Sequence, residues 1–354
     1  MATQSDNLTL PTSTRAIQLR KGGDGLYTWH RAQAPMPKVG DRQVLVHVRA
    51  VSIQRGDVEV SKMMAEIFGD GPDRSGQIGG SDAAGVVVQV GRLVQSVRPG
   101  QQIVSQFFVD YVDSPLTPGK LEQSHGWTTN GVFADYVVLE ETAIAPMPEW
   151  MSFEEAATLP SSGITGWSAT VGRDFVRKGD TVLVEGTGGV SMFALQFALA
   201  AGAQVIITSS DDRKLARAQA LGAVAGINYR TVPEWGARVL ELTGGRGAQL
   251  VLDMGGRSTI EQSMNCVACD GTLALVGGMG GYDASISTYA LISRAISARG
   301  VFAGSRADFI RMCGFMGEHQ IHPVIEKVYA FDDFFEATAH LEAGDFIGKL
   351  VLKM

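Results

Sequence analysis

Thr181-Val182-Leu183-Val184-Glu185-Gly186-Thr187-Gly188-Gly189-Val190-Ser191 sets a glycine-rich turn between two apolar runs. Thr181 to Glu185 reads as a buried strand, and Gly189 to Ala201 reads as a helix. At such a junction Gly186 allows a tight turn and Gly188 lets the backbone approach a ligand. The unpaired amides at the helix start then face an anion. The full pattern would carry a third glycine where Ser191 stands, and this small side chain is expected to keep helix and strand close. Ala194, Ala198, Ala200 and Ala201 suit packing against a sheet. The anion this context predicts is the pyrophosphate of a nicotinamide dinucleotide, cradled by Gly186, Thr187, Gly188, Gly189 and Val190. The alternative is a purely structural turn.

Outward from the turn, strand and helix patterns alternate. They run through Gln204 to Thr208, Asp211 to Leu221, Gly226 to Tyr229, Trp235 to Thr243, Leu250 to Asp253, Ile260 to Ala268 and Thr272 to Val276. Strands that alternate with helices imply a parallel, doubly wound α/β sheet, because parallel neighbours need a long return path. Before Pro160 the rhythm differs. Short Val-rich runs at Gln43–Val48, Gly85–Val90, Gln102–Val104 and Phe133–Leu139 sit between turn signals, as in a compact β barrel or sandwich. The end of the chain returns to a helical stretch and the strand-like Lys349–Lys353, expected to pack on the first domain. Residues 1–14, polar and rich in Ser and Thr, read as a loose tail.

An NAD site usually places a carboxylate after the second strand, whereas an NADP site offers small polar groups and cations. Here the segment is Thr208-Ser209-Ser210-Asp211-Asp212-Arg213-Lys214. Strand-end register makes Ser209 or Ser210 the reader, with Arg213 and Lys214 placed for a phosphate, which favours NADP. A strand ending later would make Asp211 a ribose acceptor and the cofactor NAD. Asp211 and Asp212 also suit a helix cap.

The composition excludes several classes. With 354 residues, 45% hydrophobic and 19% charged, the chain is long enough for two packed domains. A net charge of −7 offers no field for nucleic acid or anionic lipid. No long uninterrupted apolar stretch argues for a membrane span. Cys266, Cys269 and Cys313 are too few for a disulfide framework, and Cys266-x-x-Cys269 lacks the companion ligands of a zinc site. A cytoplasmic home is expected.

Further segments carry a family resemblance. They are Gly80-Ser81-Asp82-Ala83-Ala84-Gly85-Val86-Val87, Arg98-Pro99-Gly100-Gln101, Gly131 to Val137, Glu154 to Pro160 and Lys178 to Val184. With these the chain resembles the medium-chain dehydrogenase/reductase superfamily, and within it the zinc-free, quinone oxidoreductase-like branch. The resemblance implies a GroES-like catalytic domain over residues 15–160 and 303–354 and a Rossmann domain over 161–302, with the active site between them. It also implies a homodimer through an edge strand at Gly300 to Gly304. Zinc ligands of metal-dependent relatives would correspond to Gln54, Ser81 with Asp82, and Ser161, a poor donor set for an ion that prefers imidazole and thiolate. No metal is therefore expected. Gln54, Arg55, Asp57, Ser81, Asp82 and Ser161 become candidate pocket groups. Thr165, Tyr229, Gly277, Gly278, Phe302 and Lys349 are carried over as further cofactor contacts, Lys349 as a cation on the pyrophosphate.

Without a Lewis acid the electrophile must be reactive by itself, as quinones and α,β-unsaturated carbonyls are. The leading expectation is an NAD(P)H-dependent reductase of such acceptors. A zinc-free alcohol dehydrogenase would need a general base, for which Asp82 and His125 are the candidates. A cofactor-binding sensor or structural protein is the non-enzymatic alternative. His125 and Trp127 lie in a long loop expected to cover the cleft.

Overall fold

The computed structural model describes residues 10–59 and 73–354. The part of the expected tail that spans residues 1–9 lies outside them. Ser13 already opens β1 (Ser13–Lys21), which forms a hairpin with β2 (Tyr27–Pro35), so the tail does not reach residue 14.

β3 (Gln43–Ile53) is the hub of the next sheet. It is rich in Val and Ile and almost wholly buried, as suits a strand with neighbours along both edges. One edge pairs antiparallel with β4 (Asp82–Val90), which continues to β5 (Gln102–Ser105). The other edge is shared. Gln43–His47 pairs with β6 (Tyr136–Glu140), and Ala50–Ile53 pairs with a strand from the chain's end. β7 (Ile144–Pro146) flanks β5.

After residue 180 six parallel strands follow: β8 (Thr181–Glu185), β9 (Gln204–Ser209), β10 (Ala225–Asn228), β11 (Ala248–Asp253), β12 (Val267–Leu275) and β13 (Ser297–Gly300). Their spatial order is β10-β9-β8-β11-β12-β13, the doubly wound arrangement with its switch point between β8 and β11. The edge strand is Ser297–Gly300 and not Gly300–Gly304. The expected helix through Ala268 ends at Cys266, because Val267 already enters β12.

The chain then crosses back. The helix Arg306–His319 contributes Phe309, Met312 and Met316 to a core shared with Trp167, Phe193 and Phe197 and with Ala50, Ala84 and Val104 of the first sheet. β14 (Ile325–Ala330) and β15 (Lys349–Lys353) complete the seven-stranded sheet, where β15 is the strand that pairs with β3. An apolar core shared by the seven-stranded sheet and helices beside the parallel sheet holds the two domains against one another.

Candidate active site

Strand order alone assembles the centre. β15, β3 and β4 are adjacent, with Leu350 opposite Ile53 and Ser52 opposite Asp82, so Lys349, Ser52 and Asp82 meet at one sheet end. The Asp82 carboxylate is fully buried. Its Oδ1 accepts from Ser81 Oγ at 2.7 Å and Ser161 Oγ at 2.5 Å, and its Oδ2 from Ser52 Oγ at 3.2 Å. Gln54 Nε2 donates to Ser81 Oγ at 2.6 Å and to Ser161 Oγ at 3.3 Å. Ser161 arrives from the π-helical turn Leu159–Gly163, which joins the two domains. Ser81 and Ser161 therefore each accept from the amide and donate to the carboxylate, and Ser52 donates to the carboxylate as well.

Lys349 supplies the charge. Its Nζ lies 3.7 Å from Asp82 Oδ2 and donates to the main-chain oxygen of Ile53 at 2.9 Å. Burial lowers the Lys349 pKa against the pull of Asp82 and Asp57. Burial likewise raises Asp82 against the pull of Lys349 and the three hydroxyls. Asp57 caps Gln54 N through Oδ2 at 2.8 Å, and burial pushes it up to about 7. Arg55 does not join this group. Its guanidinium pairs with Glu59 at 3.0 Å and is 43% exposed, because the helix start that buries Asp57 turns its neighbour outward.

The glycine turn lies against the same lysine. Gly186 has a φ of 73°, which only glycine adopts without strain, and its N–H donates to Thr208 Oγ1 at 3.3 Å. Ser191 occupies the third-glycine place. It is buried, and its Oγ donates to the Glu185 carbonyl at 2.7 Å, so helix and strand are tied by the hydroxyl. A Cβ on Gly188 would meet no atom within 4 Å, whereas one on Gly189 would lie 2.6 Å from Lys349 Cδ and 2.7 Å from Ser162 Oγ. Gly188 thus offers an open approach, with Thr187 and Val190 beside it, and Gly189 lets the lysine stem pass. Gly348 N donates to Thr187 O at 2.9 Å. Lys349 thus runs alongside Gly189 of the turn, and its Nζ faces Asp82 and the Ile53 carbonyl.

β9 ends at Ser209, the shorter of the registers considered, which leaves Ser209 and Ser210 at the strand end. Asp211 caps the helix Asp212–Ala220 by accepting from Arg213 N at 2.7 Å. The Arg213 side chain is not free. It bonds Asp211 at 2.7 Å and Asp345 at 3.0 Å, and Lys214 Nζ donates to the Gly344 carbonyl. These partners lie some 130 residues away in sequence, so the local pattern of cations gave no sign of them. Arg213 holds Asp211 down at about 2.

Phe107, Phe108, Leu121, Ser124, Trp127 and Thr128 on one side face Arg257, Gly278 to Asp283 and Phe302 on the other across a cavity of about 860 Å³. Phe302 is half exposed, with its ring 5.1 Å edge-on from Phe108, and Phe107 lies 5.6 Å from Trp127. The cleft loop thus contributes Trp127 as expected. His125 does not line the cavity. It is buried, with Nδ1 2.8 Å from the Gln106 carbonyl, and burial lowers its pKa. Gly277 packs under the Met254 carbonyl and Gly278 under the Tyr282 ring. Thr165 sits in the helix Ile164–Ser168, and Tyr229 is exposed with its amide on Ser209 O. Cys266 is a buried free thiol and Cys269 an exposed one. Ser52 and Ser162 were not foreseen; their nearness depends on strand pairing and on the π-helical turn.

A doubly wound sheet with a phosphate-binding turn, joined to a β domain across an aromatic cleft, defines an oxidoreductase of the alcohol dehydrogenase-like class. Residues 40–149 match the alcohol dehydrogenase GroES-like domain, and residues 189–318 match the zinc-binding dehydrogenase family. A zinc-type alcohol dehydrogenase-like protein of Schizosaccharomyces pombe is 38% identical over 90% of this chain and 92% of its own length. A crotonyl-CoA reductase of Streptomyces avermitilis is 28% identical over 97% of this chain and 88% of its own. The crystal structure of a putative alcohol dehydrogenase from Sinorhizobium meliloti superimposes with a TM-score of 0.88 at 34% identity, covering 98% of this chain and all of that one. The chain belongs to the medium-chain dehydrogenase/reductase superfamily. Two of these names imply zinc, and the residues at the centre do not fit it. An amide, three hydroxyls and one carboxylate already paired with Lys349 lack the thiolate and imidazole donors the ion prefers. Among the described residues no three His, Cys, Asp or Glu side chains converge.

Proposed function

We propose that this oxidoreductase transfers hydride from NADPH to quinones or α,β-unsaturated carbonyl compounds without a metal. The observation that carries the reading is the closed Gln54, Ser81, Ser161 and Asp82 network, which consumes the donors a Lewis acid would need. When bound, the nicotinamide ring supplies the hydride. The chain's residues bind and orient: the amides opening the helix Gly189–Ala200 receive the pyrophosphate, and the open face of Gly188 admits it. Phe107, Phe108, Trp127 and Phe302 present ring edges that suit a flat conjugated acceptor and exclude water from it. An acceptor already conjugated to its carbonyl needs no further polarisation, and solvent protonates the resulting enolate or quinol anion. The likeness to a crotonyl-CoA reductase supports conjugated acceptors, and the serines ending β9 support NADP over NAD.

NADPH oxidation with a panel of quinones and enones, run beside NAD(P)⁺ reduction with alcohols, tests this. Turnover of the first set that survives chelators and stoichiometric zinc analysis below one ion per chain is expected. Alcohol oxidation alone, or binding without any turnover, would displace the reading. We further propose a homodimer through β13, whose four residues are all exposed and which neighbours exposed Tyr289 and Ile292. An I292K chain that still sediments as a dimer would count against it. No described helix is long and apolar enough to cross a membrane. The free thiols of Cys266, Cys269 and Cys313 support a cytoplasmic home, which fractionation of cells checks.

A further inference from the structure

A second cluster of buried carboxyls lies beneath the glycine turn, and nothing in the hydride-transfer reading uses it. β8 and β11 are parallel neighbours with Val184 beside Leu252, so Glu185 and Asp253 end their strands side by side. Both are buried. Ser263, on the helix Ile260–Cys266, stands between them. Its Oγ is 2.5 Å from Glu185 Oε1, 2.7 Å from Asp253 Oδ2 and 3.1 Å from the Thr259 carbonyl.

Counting hydrogens decides the ionisation. A serine hydroxyl has one hydrogen, yet two oxygen pairs at 2.5 and 2.7 Å need one each. One carboxyl must bring its own. Asp253 accepts from Thr259 Oγ1 at 2.9 Å and from Gly256 N at 2.8 Å, whereas Glu185 takes the Met254 N–H at 3.0 Å on its other oxygen and only shares Thr259 with Asp253. The missing hydrogen therefore sits on Glu185 Oε1, which donates to Ser263, and Ser263 donates to Asp253.

Among the described residues, the groups around Glu185 supply no cation. β11 presents Asp253, and the helix Ile260–Cys266 presents Cys266, whose thiol burial and Glu185 push up to about 12. Arg294, which acts on Cys266, is spent on the carbonyls of Met264 and Val267. Burial, then Asp253, pushes Glu185 up to about 8.

We propose that Glu185 is a positioning residue kept protonated under the Gly186 turn, and that loss of its proton unseats the turn and releases the dinucleotide in alkaline medium. The inference rests on the turn being the dinucleotide site. Glu185 is mechanically placed for this: its carbonyl accepts from Ser191 Oγ at the helix start, and its carboxyl holds the amide of Met254 in the turn after β11. Two adjacent buried anions sharing one hydroxyl would push the ends of β8 and β11 apart. The folded chain binds a proton that the unfolded chain has released. Stability conferred by that proton is full below the ordinary glutamate range and is lost as pH rises, reaching its floor above about 8.

The test uses the full-length protein and E185Q from about pH 6 to about pH 10. Infrared spectra of the wild type at neutral pH should show a buried carboxylic-acid carbonyl band that E185Q lacks. The NADPH dissociation constant, read by fluorescence, should rise by up to about tenfold per pH unit above the Glu185 midpoint in the wild type and stay flat in E185Q. Unfolding midpoints without cofactor should fall with rising pH up to about 8 in the wild type and level off above it, a fall that E185Q lacks. D253N, which removes the facing charge, should weaken the alkaline fall, because a lone Glu185 carboxylate has no anion to repel it. A wild type that binds NADPH but lacks the band, or an E185Q chain with the wild-type alkaline fall, overturns the proposal. A wild type that shows the band and the unfolding contrast yet binds neither NADPH nor NADH overturns the dinucleotide reading instead.

Discussion

Two buried clusters in this molecule have nearly the same parts and opposite electrostatics. At the sheet end of the catalytic domain, Asp82 is surrounded by Ser52, Ser81 and Ser161, and the Lys349 ammonium lies 3.7 Å away. Beneath the glycine turn, Glu185 and Asp253 share Ser263 and Thr259 with no lysine or arginine paired to either among the described residues. In the first cluster every hydroxyl has an acceptor and the carboxylate needs no proton of its own. In the second the hydrogens fall short by one, so a carboxyl stays acidic. Hydroxyls distribute charge but cannot cancel it, and the presence of one ammonium separates an ion pair from a shared proton.

Removing that ammonium should have the largest effect. K349M strands a buried carboxylate and should cost about 3–5 kcal/mol by urea unfolding, most of it recovered in K349M/D82N. If the single and double variants are equally unstable, Lys349 is not the counter-charge. S81A leaves Gln54 Nε2 and Asp82 Oδ1 each short of a partner and should cost about 1–3 kcal/mol in the same assay. G189A puts a methyl against Lys349 and Ser162, and a loss of about 1–3 kcal/mol with weakened NADPH binding is expected. E185Q, by contrast, should cost under about 1.5 kcal/mol at neutral pH, since it exchanges one neutral group for another. A cost as large as that of K349M would make the two clusters alike after all. The smallest change is in specificity. R213A should weaken NADPH about fivefold and leave NADH unchanged, because the exposed guanidinium must leave Asp211 and Asp345 to meet a phosphate.

The glycine turn and the strands around it were legible because their signals are local: apolar runs, one glycine needing positive φ, a small residue at Ser191. Arg213, Lys214 and Lys349 were harder. Each reads in the sequence as a cation without a visible long-range partner, yet it meets Asp345, Gly344 or Asp82, far away in sequence. His125 reads as a loop residue and is buried against Gln106, because the loop folds onto the barrel. The Glu185 and Asp253 pair did leave a trace, since each is an acid ending an otherwise apolar strand.

By itself the sequence determined that the chain has a β domain and a doubly wound domain with a glycine turn at a helix start, and that the centre lacks thiolate and imidazole. Those are matters of residue type and short-range periodicity. Only the tertiary structure decided that Gln54, Ser81 and Ser161 close into one network, that Lys349 pairs with Asp82, and that Glu185 shares a hydroxyl with Asp253. Strand order sets these contacts by bringing β15 beside β3 and β8 beside β11, and hydrogen counting at the meeting points then fixes the charge each buried group can carry.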